Sequence, residues 1–246
     1  MQVTDHYRQL IQDGTLIEGA KLPTVADISR EWGIAHATAA KAIGQLQVEG
    51  LVITSPRGSF VAGHGASATT PRDRLNRFRR TGTLDSAGEH HRVTVAGVVQ
   101  APTYVAELFG LDDDLRVLRR EWVTIKDAQL MALTVTWNRG ELGEQVPELL
   151  TTAQSVVGNR LALIEPVTGH VTHGRDFSHG RGSDARESSA LGLPTGAAIL
   201  AVTWLWNTAA DDSSEPVLVE YGESVLPPRH TLTYDYESAT EEGAEQ

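Results

Sequence analysis

The sequence predicts two folded parts of different class: a small, mainly helical N-terminal domain, and a larger α+β domain built on a mainly antiparallel sheet. Three observations carry this. Apolar residues recur at helical spacing through the first fifty residues and then give way to short β-rich runs. The stretch 63–71, Gly-His-Gly-Ala-Ser-Ala-Thr-Thr-Pro, has no apolar periodicity and reads as a linker. Charge also changes sign just beyond it: residues 1–83 hold 10 Lys+Arg against 7 Asp+Glu, and 84–246 hold 11 against 25, within a total of −11 over 246 residues. Such asymmetry suggests that one part meets a polyanion and the other does not.

Composition bounds the rest. Apolar residues at 40% and charged residues at 22% lie near globular values, so neither a disordered chain nor a rod fits. The absence of cysteine excludes a disulfide scaffold, a thiolate metal site and a cysteine nucleophile. The chain opens Met-Gln-Val-Thr-Asp-His, with no basic start or apolar signal core, and has no uncharged apolar run of about 18 residues. The expectation is a soluble, cytoplasmic protein with no membrane partner.

Val3, Tyr7, Leu10 and Ile11 share one helical face, and Gly14 ends that helix. A second helix starts at Thr24, a cap with Asp27 three residues on, buries Val25, Ile28 and Trp32, and stops at Gly33. A third runs from about Ala35 to Glu49, with Ala39, Ala42, Ile43 and Leu46 inward, and stops at Gly50. Residues 51–54 and 59–62, joined by Ser55-Pro56-Arg57-Gly58, read as a hairpin. Residues 1–63 thus form a winged helix-turn-helix. The third helix has the diameter of the major groove and turns Ala37, Thr38, Lys41 and Gln45 outward. A packing unit without a nucleic-acid role is the alternative.

Residues 64–91 form linker and hinge, in which Arg72, Arg74, Arg77, Arg79 and Arg80 crowd together. A solvated hinge helix and a phosphate-contacting arm both fit. Beyond it, 93–99 suggests a strand, and a helix begins at Pro102 and ends at Gly110. Residues 115–126 and 130–137 are two strands. Ser183 caps a helix running through Leu191, and 198–207 and 216–226 are two further strands. The domain spans 92–237, and 238–246 is an acidic tail. A repeat lays 106–111 on 188–193 and Trp122 on Trp204. Closing each hairpin by its own loop length lays Thr134 on Glu220.

These residues carry a family resemblance. Leu22-Pro23-Thr24, Trp32-Gly33-Ile34, His36, Thr38, the run 46–52 and Arg57-Gly58-Ser59-Phe60-Val61 resemble the N-terminal domain of the GntR family of bacterial transcriptional repressors, without a gap from about residue 8 to 62. Ala101-Pro102, Val105-Ala106, Gly110-Leu111, 190–194 and Leu218-Val219-Glu220-Tyr221-Gly222-Glu223-Ser224 resemble the UTRA effector-binding domain of its HutC subfamily. The resemblance implies a chorismate-lyase-like sheet, a cleft for a small-molecule effector, a homodimer and a double-stranded DNA operator, with no cofactor. It assigns DNA contact to Thr24, His36, Ala37, Thr38, Lys41, Arg57 and Gly58. Ala26, His36 and Ala40 stand where the family usually has arginine, and the first helix starts nearly at Met1, shorter than usual.

In the family, the first hairpin gives the ligand arginines and an acid, and the second gives the acid of a Glu-Tyr pair and a later Tyr. Here these fall on Trp122, Thr124 and Thr134, and on Glu220 and Leu226, so only Glu220 is kept. A phosphate needs about two or three charge-assisted partners. A neutral or aromatic effector therefore fits better, held by Trp122, Trp137 or Trp204 and bonded by Thr134, Thr136, Glu220 or Ser224. Arg175, oriented by Asp176, suits a ligand carboxylate, and a surface salt bridge fits equally. His170, His173 and His179 lack a fourth ligand at metal spacing, so no metal is expected. The expected function is a repressor that answers to an effector and is not an enzyme. The rivals are a chorismate-lyase-like enzyme using Glu220 with Arg175, and a degenerate regulator with weak DNA binding.

Overall fold

The computed structural model describes residues 2–17, 19–55, 58–61, 66–110, 116–126, 128–209, 216–228 and 230–232. Helices α1 (Gln2–Gln12), α2 (Val25–Trp32) and α3 (His36–Val48) precede a hairpin of β1 (Val52–Ser55) and β2 (Gly58–Val61). Tyr7 and Ile11, Ile28, Ala39, Ile43, Leu46 and Val61 close one core, with Val25 and Trp32 half-buried against it. Thr24 and Asp27 cap α2 reciprocally, and Gly33, at φ 63°, adopts the left-handed conformation that turns the chain into α3. Arg8 grips Glu49 through Nε and Nη2, at 2.8 and 2.7 Å, and so ties α1 to the end of α3.

Part of the stretch expected to be a structureless linker is a strand. β3 (Ala66–Ala68) pairs in parallel with β10 (His230–Leu232), a partner from the far end of the chain that no local reading supplies. Gly63-His64-Gly65 and the tail 238–246 lie outside the described residues.

The second domain contains α4 (Pro71–Thr81), β4 (His90–Gln100), α5 (Thr103–Phe109), β5 (Arg116–Lys126), β6 (Gln129–Arg139) and α6 (Glu141–Gln145). After a 3₁₀ turn at Pro147–Leu150 come α7 (Ser155–Thr168), β7 (His173–Gly182), α8 (Ala185–Leu191), β8 (Ala198–Thr208) and β9 (Val217–Leu226). Its strands form one antiparallel sheet in the order β4-β5-β6-β9-β8-β7. The repeat seen in the sequence is therefore longer than expected: β4-α5-β5-β6 and β7-α8-β8-β9 meet at β6 and β9. Laying Thr134 on Glu220 lays Thr136 on Gly222, and these two pair directly, so the local two-fold passes between them.

Alternation along the strands gives the sheet two covered faces. One packs Leu118 and Val219 under α6, the 3₁₀ turn and α7. The other packs Val117, Val135, Trp137 and Tyr221 under α5, and Val123, Leu133 and Val225 under α8. Two details differ from the sequence reading. The cap of α8 is Asp184, bonded reciprocally with Glu187, while Ser183 is buried and bonds Ser188 at 2.9 Å. Helix α7 was not anticipated, because Gly158 and Pro166 interrupt a segment that is apolar on several sides.

The arginine-rich segment is a helix turned inward. Thr70 and Asp73 cap α4, and Phe78 packs with Leu84, Leu161, Val171, Trp204 and Trp206. Arg79 clamps Glu165 of α7 at 2.7 and 2.5 Å and also donates to the Val171 carbonyl, and Arg74 clamps Glu89 at 2.9 and 3.0 Å. No helix among the described residues is long and apolar enough to cross a membrane.

The Arg79–Glu165 clamp makes this docking sensitive to acid. Burial opposes ionisation of Glu165, but Arg79, His170 and the Val171 amide outweigh it and hold the carboxyl below its ordinary 4.5. A depressed carboxylate stabilises the fold above its unfolded pKa, and that contribution disappears as pH falls through the folded one. Arg79→Ala should lower stability by about 1–3 kcal/mol at neutral pH and move acid unfolding to higher pH. Thermal melts between about pH 3 and 6 would check this.

Candidate nucleic-acid interface and ligand face

His36, Ala37, Thr38, Lys41 and Gln45 are all exposed on α3, opposite Ala39, Ala42, Ile43 and Leu46, which face the core. Ala35 caps α3 without a side-chain hydrogen bond, and the Thr38 amide turns back onto the Ala35 carbonyl at 2.9 Å. Thr24 is exposed, but its hydroxyl works as the cap of α2, donating to Asp27 at 2.6 Å and accepting from the Asp27 amide at 3.1 Å. In the wing, Gly58 pairs with Ser55, and its φ of 127° favours glycine. Lys21 passes close over Gly58: a Cβ there would stand 2.9 Å from the lysine Cε. That makes Lys21 a wing cation the sequence reading missed, because its isolated bridge to Phe60 is a contact distant in sequence. Arg57 lies outside the described residues.

Charge on this domain is thin. Residues 1–63 hold five Lys and Arg against six Asp and Glu. The surplus of the first 83 residues therefore belongs to α4, two of whose arginines clamp carboxylates of the second domain.

Of the seven candidate ligand residues, five share the sheet face beneath α7. Trp122 and Thr134 are paired, Thr134 bonds Ser224 at 2.7 Å, Thr136 pairs with Gly222, and Glu220 lies at the same level as Trp206. The other two are elsewhere, because side chains alternate between faces. Trp137 lies on the opposite face, stacked on Tyr221 at 5.3 Å under α5. Arg175 is exposed on the edge strand β7, opposite Leu205, whereas Asp176 turns to the other side and accepts from the Arg72 amide at 3.3 Å. Asp176 therefore does not orient Arg175. Glu220 and Arg175, the acid and base required by an enzymatic reading, face opposite sides of the sheet.

Glu220 is completely buried and already matched. Arg160 of α7, 4% exposed, donates to both its oxygens at 2.9 Å, and Trp204 Nε1 donates at 3.1 Å. Arg160 also lies over the Trp122 and Trp206 rings at 5.3 and 5.5 Å. Trp204 reaches Glu220 because Gly222 leaves room: a Cβ there would stand 2.0 Å from the indole. Beside this pair sits Arg120, 1% exposed, whose Nη1 donates to the carbonyls of Leu149 and Thr151. Burial and the neighbouring Arg160 push its pKa down to about 10, which leaves it a cation at neutral pH. Two buried arginines thus stand on a face expected to lack them. One is on an unanticipated helix and the other lies two residues before the position that the resemblance assigned.

Asp85, Glu89 and His91 also converge, with ligand atoms within 4.8 Å, but Arg74 clamps Glu89 there and supplies the countercharge.

A winged helix-turn-helix followed by a docked helix and a doubly covered antiparallel sheet is an architecture that this chain shares with solved structures of other proteins. Residues 1–61 match the family model described as bacterial regulatory proteins, gntR family. Among solved structures, a putative GntR-family transcriptional regulator is 22% identical with a TM-score of 0.52 and 97% of each chain covered. PhnF from Mycobacterium smegmatis is 19% identical with a TM-score of 0.55, covering 96% of this chain and 100% of its own. The C-terminal domain of the histidine utilization repressor from Pseudomonas syringae pv. tomato str. DC3000 is 15% identical with a TM-score of 0.51, covering 61% of this chain and 99% of its own. Such likeness is one of fold. No curated protein matches the chain.

Glu220 has a structural role that can be separated from ligand binding. Glu220→Ala leaves Arg160 buried without its partner and should cost about 3–5 kcal/mol in urea unfolding of the ligand-free protein. A residue acting only on a ligand would leave that stability unchanged.

Proposed function

We propose that this chain is a transcriptional repressor of the HutC kind, which binds a two-fold DNA operator as a homodimer and changes its affinity when a small molecule occupies the sheet face beneath α7. The observation that carries the reading is the shared core of the hinge and that face: Phe78 of α4 packs with Trp204 and Trp206, and Arg79 of α4 clamps the helix whose Arg160 holds Glu220. A ligand among Trp122, Thr134, Thr136, Glu220 and Ser224 would bear on α7, and through α7 on α4. It shifts the equilibrium only in so far as it binds one placement of the hinge more tightly than the other.

On DNA, α3 enters the major groove with His36, Ala37, Thr38 and Lys41 toward the bases and phosphates, while Lys21, Arg57 and Gly58 meet the backbone at the wing. A dimer sets its half-sites about 34–36 Å apart. A domain with so few cations depends on two half-sites held together and on base contacts.

Gel shifts with the region upstream of the chain's own gene test this. A retarded complex is expected at low salt. Lys41→Ala should weaken it and reduce the slope of log affinity against log salt by about 1. Absence of any complex at low salt would sink the reading.

A further inference from the structure

The buried cluster beneath α7 has one positive charge more than it can match. Arg160 is committed to Glu220 at both oxygens, and the charges that act on Arg120 are those of Arg160 and Glu220. Among the described residues Arg120 therefore has no carboxylate of its own. Its Nη1 is fixed to the carbonyls of Leu149 and Thr151, which orients the plane of the guanidinium. Nε and Nη2, both buried, meet no acceptor among the described residues. Those two nitrogens form one edge of the guanidinium, and their parallel N–H groups match the two oxygens of a carboxylate. Thr136 stands directly across from Arg120 in the β5–β6 register, on the same face, and its buried hydroxyl meets no hydrogen-bond partner among the described residues.

A buried unpaired cation beside an unpaired hydroxyl is costly, and native interiors seldom leave such groups unmatched. An ordered water could satisfy the hydrogen bonds but brings no charge. From these groups we infer that the effector carries a carboxylate, seated on the Nε/Nη2 edge of Arg120 with the Thr136 hydroxyl donating to one of its oxygens. This rests on the reading of this face as the ligand site and names the class of molecule it takes. One free guanidinium edge and one hydroxyl suit a single negative charge. A phosphate dianion would need a second cation, and Arg160 is occupied. The body of the acid meets Trp122, next on the same face of β5, and Trp204, whose ring covers Gly222 beside Thr136. That favours an aromatic or apolar acid. The chemistry agrees with the aromatic ligand expected from the sequence and replaces its neutral form with a monoanion.

The test uses the full chain with benzoate, acetate, benzamide and phenyl phosphate at matched ionic strength, read by thermal shift and tryptophan fluorescence. Benzoate should stabilise the protein in a saturable way, acetate more weakly, and benzamide and phenyl phosphate not at all. Thr136→Val, nearly isosteric, should weaken benzoate by about threefold to tenfold, and Arg120→Gln by about tenfold or more. Equal stabilisation by benzamide, unchanged benzoate affinity in a folded Thr136→Val protein, or no response to either acid at tens of millimolar would overturn the inference. Gel shifts with the same protein separate it from the regulatory reading. If the acid binds without altering DNA affinity, the carboxylate site stands and the effector role fails. If the DNA complex responds to a neutral metabolite and to no acid, the regulatory role stands and the carboxylate fails.

Discussion

The second domain depends on the buried pair of Arg160 and Glu220. The sheet face beneath α7 is unusually polar, with Thr134, Thr136, Asn138, Glu220 and Arg120 all buried on it, and an apolar helix laid over such a surface would strand its polar groups. Arg160 resolves this at one point by bringing a fork of donors to both oxygens of Glu220 while stacking on two indoles. Desolvating two charges offsets much of their attraction, so the pair contributes little net stability compared with apolar residues of the same size. Its contribution is geometric: it fixes where α7 lies along the sheet. The position of α7 in turn sets Leu161 against Phe78 and Glu165 against Arg79, and so the seat of the hinge helix.

Charge takes on a different meaning once the hinge is placed. The sign change along the sequence suggested a cationic half facing a polyanion. Yet the winged helix by itself holds one more acid than base, and the positive surplus lies in α4. Arg74 and Arg79 face carboxylates of their own chain, and Arg77 donates to the Leu84 carbonyl. A count of charges carries no direction, so a helix rich in arginine can serve as an internal latch as readily as a phosphate arm. That latch fixes α4 to α7 and to the loop before β4.

The parts of the fold legible in the sequence were those in which one face is buried and one is wet. α1, α2 and α3 each show a periodic apolar stripe and a glycine stop, the wing shows two β-rich runs around a Pro-Arg-Gly turn, and their bounds were found nearly to the residue. The second domain hides more, since both faces of its sheet are covered. β5 and β6 are buried along most of their length, so no alternation marks which way Trp122 and Trp137 point. Helix α7 was obscured by its breakers, and Gly158 has a packing reason invisible in the sequence: a Cβ there would stand 2.2 Å from an Asp85 oxygen. Without α7 there was no Arg160, and without Arg160 the acid of Glu220 was left for a ligand. Five of the seven candidate ligand positions still share one face, because Thr134 and Thr136 on β6 and Glu220 and Ser224 on β9 stand an even number of residues apart and Trp122 pairs with Thr134.

The duplication explains why the unmatched charge is single. The two copies meet at Thr136 and Gly222, so each side of the face begins as the image of the other. On one side Gly222 has no side chain, and Trp204 lies flat over it and donates to Glu220. On the other side the residue across from Thr136 is Arg120, and Trp122, one pair further along β5, packs against Arg160. About that axis the strand registers set Arg120, across from Thr136, on Trp204, across from Gly222, and set Trp122 on Trp206 rather than on Trp204 as the sequence repeat suggested, so one copy places a guanidinium where the other places an indole. A symmetric face would present two such cations and favour a dianion or two ligands. This face keeps one cation next to the axis, between Trp122 and Trp204, and the single orientation proposed for the carboxylate follows from that asymmetry.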